Sequence, residues 1–136
     1  MSLATDIRTA LETTLSAVTG VPAAIAFDNV KFQNTANAAW LRASVDYTAQ
    51  TNAGIGVGAP IQSQGLLNVD YFIPENQGAG DGEIILDAIR DAFAPGTIIV
   101  QNGRWIRILS AQRAQNIPVS PWYQMPLIIS WYVYEL

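Results

Sequence analysis

Apolar residues recur at Ile7, Ala10, Leu11, Leu15 and Val18, a three-and-four spacing that gathers them on one side of a helix. Asp6, Arg8 and Glu12 fall off that stripe. Ser2 or Thr5 is placed to cap the start, and Gly20 with Pro22 ends the element, so an amphipathic helix of about four turns is expected. A second stripe, Ile85, Ala88, Ile89, Ala92 and Phe93, follows Asp81 as a cap and stops at Pro95-Gly96.

Elsewhere the period is two. From Trp40 to Tyr47, Leu41, Ala43, Val45 and Tyr47 alternate with Arg42, Ser44 and Asp46. Leu67, Val69, Tyr71 and Ile73 alternate with Asn68 and Asp70. If these two strands pair about Gly56, Arg42 lies opposite Asp70, an ion pair that supports the register. Ala23 to Phe27 forms a short apolar segment, followed by an Asp28-Asn29 turn and Val30 and Phe32. Thr97–Gln101 and Arg104–Leu109 are joined by Asn102-Gly103, whose residues both tolerate positive φ and so favour a tight hairpin. A last strand is expected from about Tyr123 to Tyr134, after Pro118 and Pro121.

These elements predict one α+β domain over residues 1–136: a twisted, mainly antiparallel β-sheet with two α-helices packed on one face. Thr48 to Gln64 is rich in Gly, Ala, Asn and Gln and nearly free of charge, and reads as a long loop. Loops of that length in compact domains usually serve a function or lack fixed structure.

Composition narrows the chemistry. The chain has no His and no Cys, which removes thiolate nucleophiles, disulfides, histidine bases and the commonest zinc ligands. Eleven carboxylates face six Arg and one Lys, for a net charge of -4 that disfavours gripping nucleic acid phosphates. Half the residues are hydrophobic and only 13% are charged, so part of the surface is expected to lie against other proteins. The first residues lack a basic and then apolar leader, and no apolar run approaches the roughly 20 residues that span a bilayer. A soluble protein made in a cytoplasm, without membrane contact, is expected.

Each candidate for chemistry has a plainer structural reading. The turn Gly78–Gly82 precedes a helix, as in some phosphate sites, but lacks the Lys-Ser/Thr pair, and Asp81 and Glu83 would repel an anion. Glu83, Asp87 and Asp91, spaced by four, form an acidic stripe facing away from the helix's apolar side; a solvated, lumen-facing or subunit-facing stripe is the favoured reading. Arg104 and Arg107 flank Trp105, a combination that stacks on bases in some proteins but better suits contacts between strands or subunits in an acidic chain. Trp131, Tyr132 and Tyr134 crowd aromatics onto both faces of the last strand, which suits either a core or an interface. No residue is assigned a catalytic, cofactor-binding or metal-binding role, and no cofactor is expected.

Three stretches in order carry a resemblance. Ile25-Ala26-Phe27-Asp28-Asn29-Val30-Lys31-Phe32 precedes Trp40-Leu41-Arg42-Ala43. Asn68-Val69-Asp70-Tyr71-Phe72-Ile73-Pro74, a Gly-rich turn and Asp87-Ala88-Ile89-Arg90-Asp91-Ala92-Phe93 form a second block. Trp122-Tyr123-Gln124-Met125-Pro126-Leu127 through Trp131 closes the set. Together they resemble the tail-terminator-like proteins of long-tailed bacteriophages, among the head-tail joining and tail completion proteins, over nearly the whole chain.

The resemblance implies a non-enzymatic virion protein made in the host bacterial cytoplasm. It would form a ring, generally a homohexamer, at the head-proximal end of the tail. Such a ring caps the tail tube protein, stops its polymerisation and offers a surface to the head-tail connector or stopper protein. DNA would pass through without specific binding. The uncharged loop, with Asn52, Ile55 and Val57, is expected to order on docking. The competing readings are another neck subunit, a cellular small-ligand-binding module with a pocket lined by Trp40, Tyr71 and Trp105, and, most weakly, an enzyme using Asp46 and Asp70.

Overall fold

In the computed structural model, residues 2–22, 25–27, 38–52, 54–75, 78 and 80–135 are described, the last by its backbone alone. Helix α1 (Leu3–Ser16) starts where expected: the Ser2 hydroxyl accepts the Thr5 amide at 3.1 Å and relieves one unpaired helix-start donor. Its stripe of Ile7, Ala10, Leu11 and Leu15 is buried. Helix α2 (Gly80–Ala92) begins one residue before Asp81, so Asp81 stands in the first turn rather than at the cap.

Among the described residues, seven strands form a mixed, mostly antiparallel sheet: β1 (Ile25–Phe27), β2 (Trp40–Asn52), β3 (Ile61–Pro74), β4 (Ile98–Gln101), β5 (Arg104–Arg113), β6 (Ile117–Val119) and β7 (Trp122–Glu135). The order across the sheet is β1-β2-β3-β7-β5-β4, with β6 paired to β7. β1 lies parallel to β2, the one parallel pair among the described strands. Both helices pack on one face. Their stripes meet Leu41, Ala43 and Val45 of β2, Leu67 and Val69 of β3, and Met125, Leu127, Ile129 and Trp131 of β7 in a shared core. The α+β architecture with helices on one face is therefore the one the hydrophobic pattern implies.

The Arg42–Asp70 register is present, and the hairpin it defines is longer than expected. Thr48 to Gln64 is not one loop: β2 runs to Asn52, β3 starts at Ile61, and residues 54–60 lie in the turn between them. Thr48, Gln50, Thr51 and Asn52 are exposed, so no apolar face betrays the strand period there. The backbone ladder with β3 supplies the order instead, aided by Gln50 donating to the buried Ser63 hydroxyl at 3.1 Å. β7 extends beside β3 out to Ile61, so the far end of the sheet is three strands wide up to the turn.

One glycine permits the centre of this arrangement. Gly65 lies opposite Trp131, and a Cβ there would overlap the Trp131 ring and the Asp46 carbonyl oxygen. The indole fills that space, with Tyr47 meeting it edge-on at 5.4 Å between ring centroids. The predicted segment Asp28-Asn29, Val30 and Phe32 lies outside the described residues.

Candidate assembly surfaces

The face of the sheet opposite the helices carries the residues that alternate away from the core. Its two ends differ. At one end Trp40 stacks on Phe72 with centroids 4.2 Å apart, and Trp122 meets Trp40 edge-on at 6.0 Å. The Arg42 guanidinium sits 5.1 Å from the Phe72 centroid and donates to Asp70 at 2.9 Å. Gln124 donates to the other Asp70 oxygen at 2.9 Å. Beside them a groove of about 660 Å³ runs under residues 114–118, floored by Asn68, Asp70 and Gln124.

The other end is built by the β4–β5 hairpin. Asn102 and Gly103 take φ of 51° and 79°, which makes the turn tight and fixes the register Ile98↔Arg107 and Val100↔Trp105. All four side chains therefore point away from the helices. Val100 is 57% and Trp105 52% exposed, Ile98 is exposed, and Tyr134 of β7 is exposed nearby. Arg107 lies over Trp105, 5.4 Å from the ring centroid, and no carboxylate pairs it among the described residues.

Arg104 has the opposite parity. It reaches the helix side of the sheet and pairs with the buried Asp6 of α1, whose second oxygen accepts from Asn102 at 2.7 Å. Burial works to raise the Asp6 carboxyl, but the bonds from Asn102 and Arg104 outweigh it and hold the group below the ordinary aspartate value. The hairpin is thus braced from behind while its front stays open.

The acidic stripe divides. Glu83 accepts from Arg113 at 2.6 Å, and that bond holds its carboxyl below the usual glutamate range. Asp87 and Asp91 are exposed and have no cationic partner among the described residues. Between them and the likewise exposed Asp81 stands Ile84, 70% exposed. Gly82 of the Gly-rich turn serves packing: a Cβ there would come within 2.5 Å of the Met125 sulfur.

The other sequence candidates separate in the same way. Ile55 and Val57 are fully exposed in the turn that joins β2 and β3, and Asn52 is exposed at the end of β2. Trp131 is fully buried in the core, so its ring takes no part in the surface of this fold. Tyr132 is half-buried and meets exposed Tyr134 edge-on at 5.7 Å. Trp40, Tyr71 and Trp105 do not line one pocket: Tyr71 is buried on the helix side, while Trp40 and Trp105 stand at opposite ends of the other face. Asp46 and Asp70 do not converge either. They lie four positions apart along the β2 register, roughly 13 Å, and Asp46 accepts from Asn68 at 2.7 Å.

Ile98, Val100 and Ile84 are surface residues that the sequence did not flag. For Ile98 and Val100 a signal existed: counting outward from Asn102-Gly103 gives them the parity of Arg107 and Trp105.

Residues 6–131 match the family model for phage tail terminator protein. The chain belongs to the phage tail terminator family. No curated protein matches it. One solved chain that carries no functional name superposes on this chain with a TM-score of 0.77 at 22% identity, covering 100% of this chain and 97% of that one. A chain from the virion of a native gene transfer agent particle superposes with a TM-score of 0.58 at 14% identity, covering 98% of each. At such identities the likeness is one of fold. The chain is a structural protein of the phage virion's tail, and its family is one of structural proteins rather than enzymes.

Proposed function

We propose that this chain, acting as one domain, forms a ring that caps the head-proximal end of the tail tube. The ring stops tube polymerisation and offers the head connector its docking surface, while DNA passes through without being held. A growing tube ends when a subunit binds its polymerisation surface and presents a different surface beyond. Family membership gives the setting. The observation that carries the reading is the distribution of exposed apolar side chains in a weakly charged protein. Ile55 and Val57 sit at the tip beyond the three-stranded end of the sheet, and a second apolar patch lies on the β4–β5 hairpin. Two unlike surfaces on one subunit suit a molecule that meets two unlike partners.

The test is to add purified protein to tube protein polymerising in vitro and to measure tube length and end density by electron microscopy. Capped tubes should stop growing and carry one extra ring at one end. Removing Asn52–Pro60 should leave the thermal melt near that of the intact chain and abolish capping. Normal capping by that deletion would show that the tip is not the tube-binding element.

A further inference from the structure

Two exposed surfaces on opposite sides of the sheet have complementary chemistry. On the helix-free face, Arg107 lies over Trp105 beside Ile98 and Val100, without a carboxylate partner among the described residues. On the helix side, α2 presents Ile84 ringed by exposed Asp81, Asp87 and Asp91, without a cationic partner among the described residues. One surface is a cation set in apolar ground, the other an apolar knob set in anions. β4 is also an edge strand whose sequence Ile98-Ile99-Val100-Gln101 has neither charge nor proline to keep a neighbour away.

We propose that the exposed face of α2 in one copy of this chain seats on the β4–β5 patch of the next, with Ile84 against Trp105 and Val100 and with Asp87 and Asp91 facing Arg107. This rests on the self-assembly proposed above and names the surfaces that make it. Because the two patches lie on opposite faces of the sheet, two copies cannot make both contacts with each other at once, so the contact is heterologous and builds a closed ring or an open chain rather than a two-fold dimer. Charge complementarity selects a second copy over a basic partner for α2 or an acidic partner for the hairpin, since both halves of the match are on the same chain.

The mixing behaviour of two variants tests this. Ile84→Asp spoils only the helix surface and Trp105→Asp only the hairpin surface; both positions are exposed, and melting curves matching the parent confirm that each folds. By analytical ultracentrifugation each variant alone should associate at least about thirtyfold more weakly than the parent, as for loss of a central interface side chain. An equimolar mixture should form a one-to-one heterodimer and stop there, because each variant keeps one intact surface. Arg107→Asp should weaken association, and adding Asp87→Arg and Asp91→Arg to it should restore association.

Association of either aspartate variant at the parent's strength, or a mixture that stays monomeric, overturns the proposal. So does a parent chain that remains monomeric at every concentration while Trp105→Asp loses tube capping, since the patch then belongs to the tube protein. Failure of the capping assay alongside intact head-to-tail association would instead remove the tube-capping reading and leave this interface standing.

Discussion

The helix-free face of the sheet has two ends built from the same kinds of residue and finished differently. At one end Arg42 has Asp70, Phe72 has Trp40, and Trp40 has Trp122; each group is answered within the chain. At the other, Trp105 and Val100 stand half out of the fold and Arg107 has an aromatic ring but no carboxylate among the described residues. Aromatic and arginine content alone does not tell the two apart. Whether each side chain's partner lies in the same chain does. The answered end should govern stability and the unanswered end assembly.

The largest effect should come from Phe72→Ala. Phe72 is 4% exposed under the Trp40 stack, and its loss should cost about 3–5 kcal/mol in denaturant unfolding, as for a core aromatic. A cost no larger than that of an exposed aromatic would erase the distinction between the ends.

A smaller effect, confined to acid, should come from the brace behind the open end. Because the folded Asp6 carboxyl is held below its unfolded value of about 3.9, its contribution is full above that pH and is lost as pH falls through the lower folded value. Asp6→Asn should therefore flatten the acid limb of the stability profile measured by thermal melts. A variant that kept the parent's acid limb would place the titration elsewhere.

The smallest pair sharpens the contrast most. Arg42→Ala removes a half-exposed ion pair and a ring contact and should cost up to about 1 kcal/mol. Arg107→Ala removes only its contact with the exposed Trp105 ring and no ion pair among the described residues, so it should cost less than Arg42→Ala, about 0.5 kcal/mol. Equal costs at the two sites, measured by the same denaturant titration, would mean that Arg107 is already satisfied within the monomer.

The helices, the Asn102-Gly103 hairpin and the Arg42–Asp70 register were legible because each rests on local spacing or turn chemistry. What escaped was decided by neighbours distant in sequence. Trp131 reads as core or interface until Gly65, far along the chain, is seen to leave room for its ring. Thr48–Asn52 reads as loop because strands open to water on both faces have no apolar period to show. The parallel pairing of β1 with β2 leaves no mark in either segment's alternation. Asp6 reads as a solvated helix residue, yet it is buried by Arg104 and Asn102 of a hairpin that the helix pattern cannot anticipate.

The order of the strands also has a bearing on timing. β7 lies between β3 and β5 and joins the β2–β3 and β4–β5 hairpins, yet it is the last of the described strands to be synthesised. Until it inserts, the β2–β3 and β4–β5 halves have no shared ladder, and pairings this far apart in sequence form slowly. The sheet is thus incomplete until β7 has been synthesised.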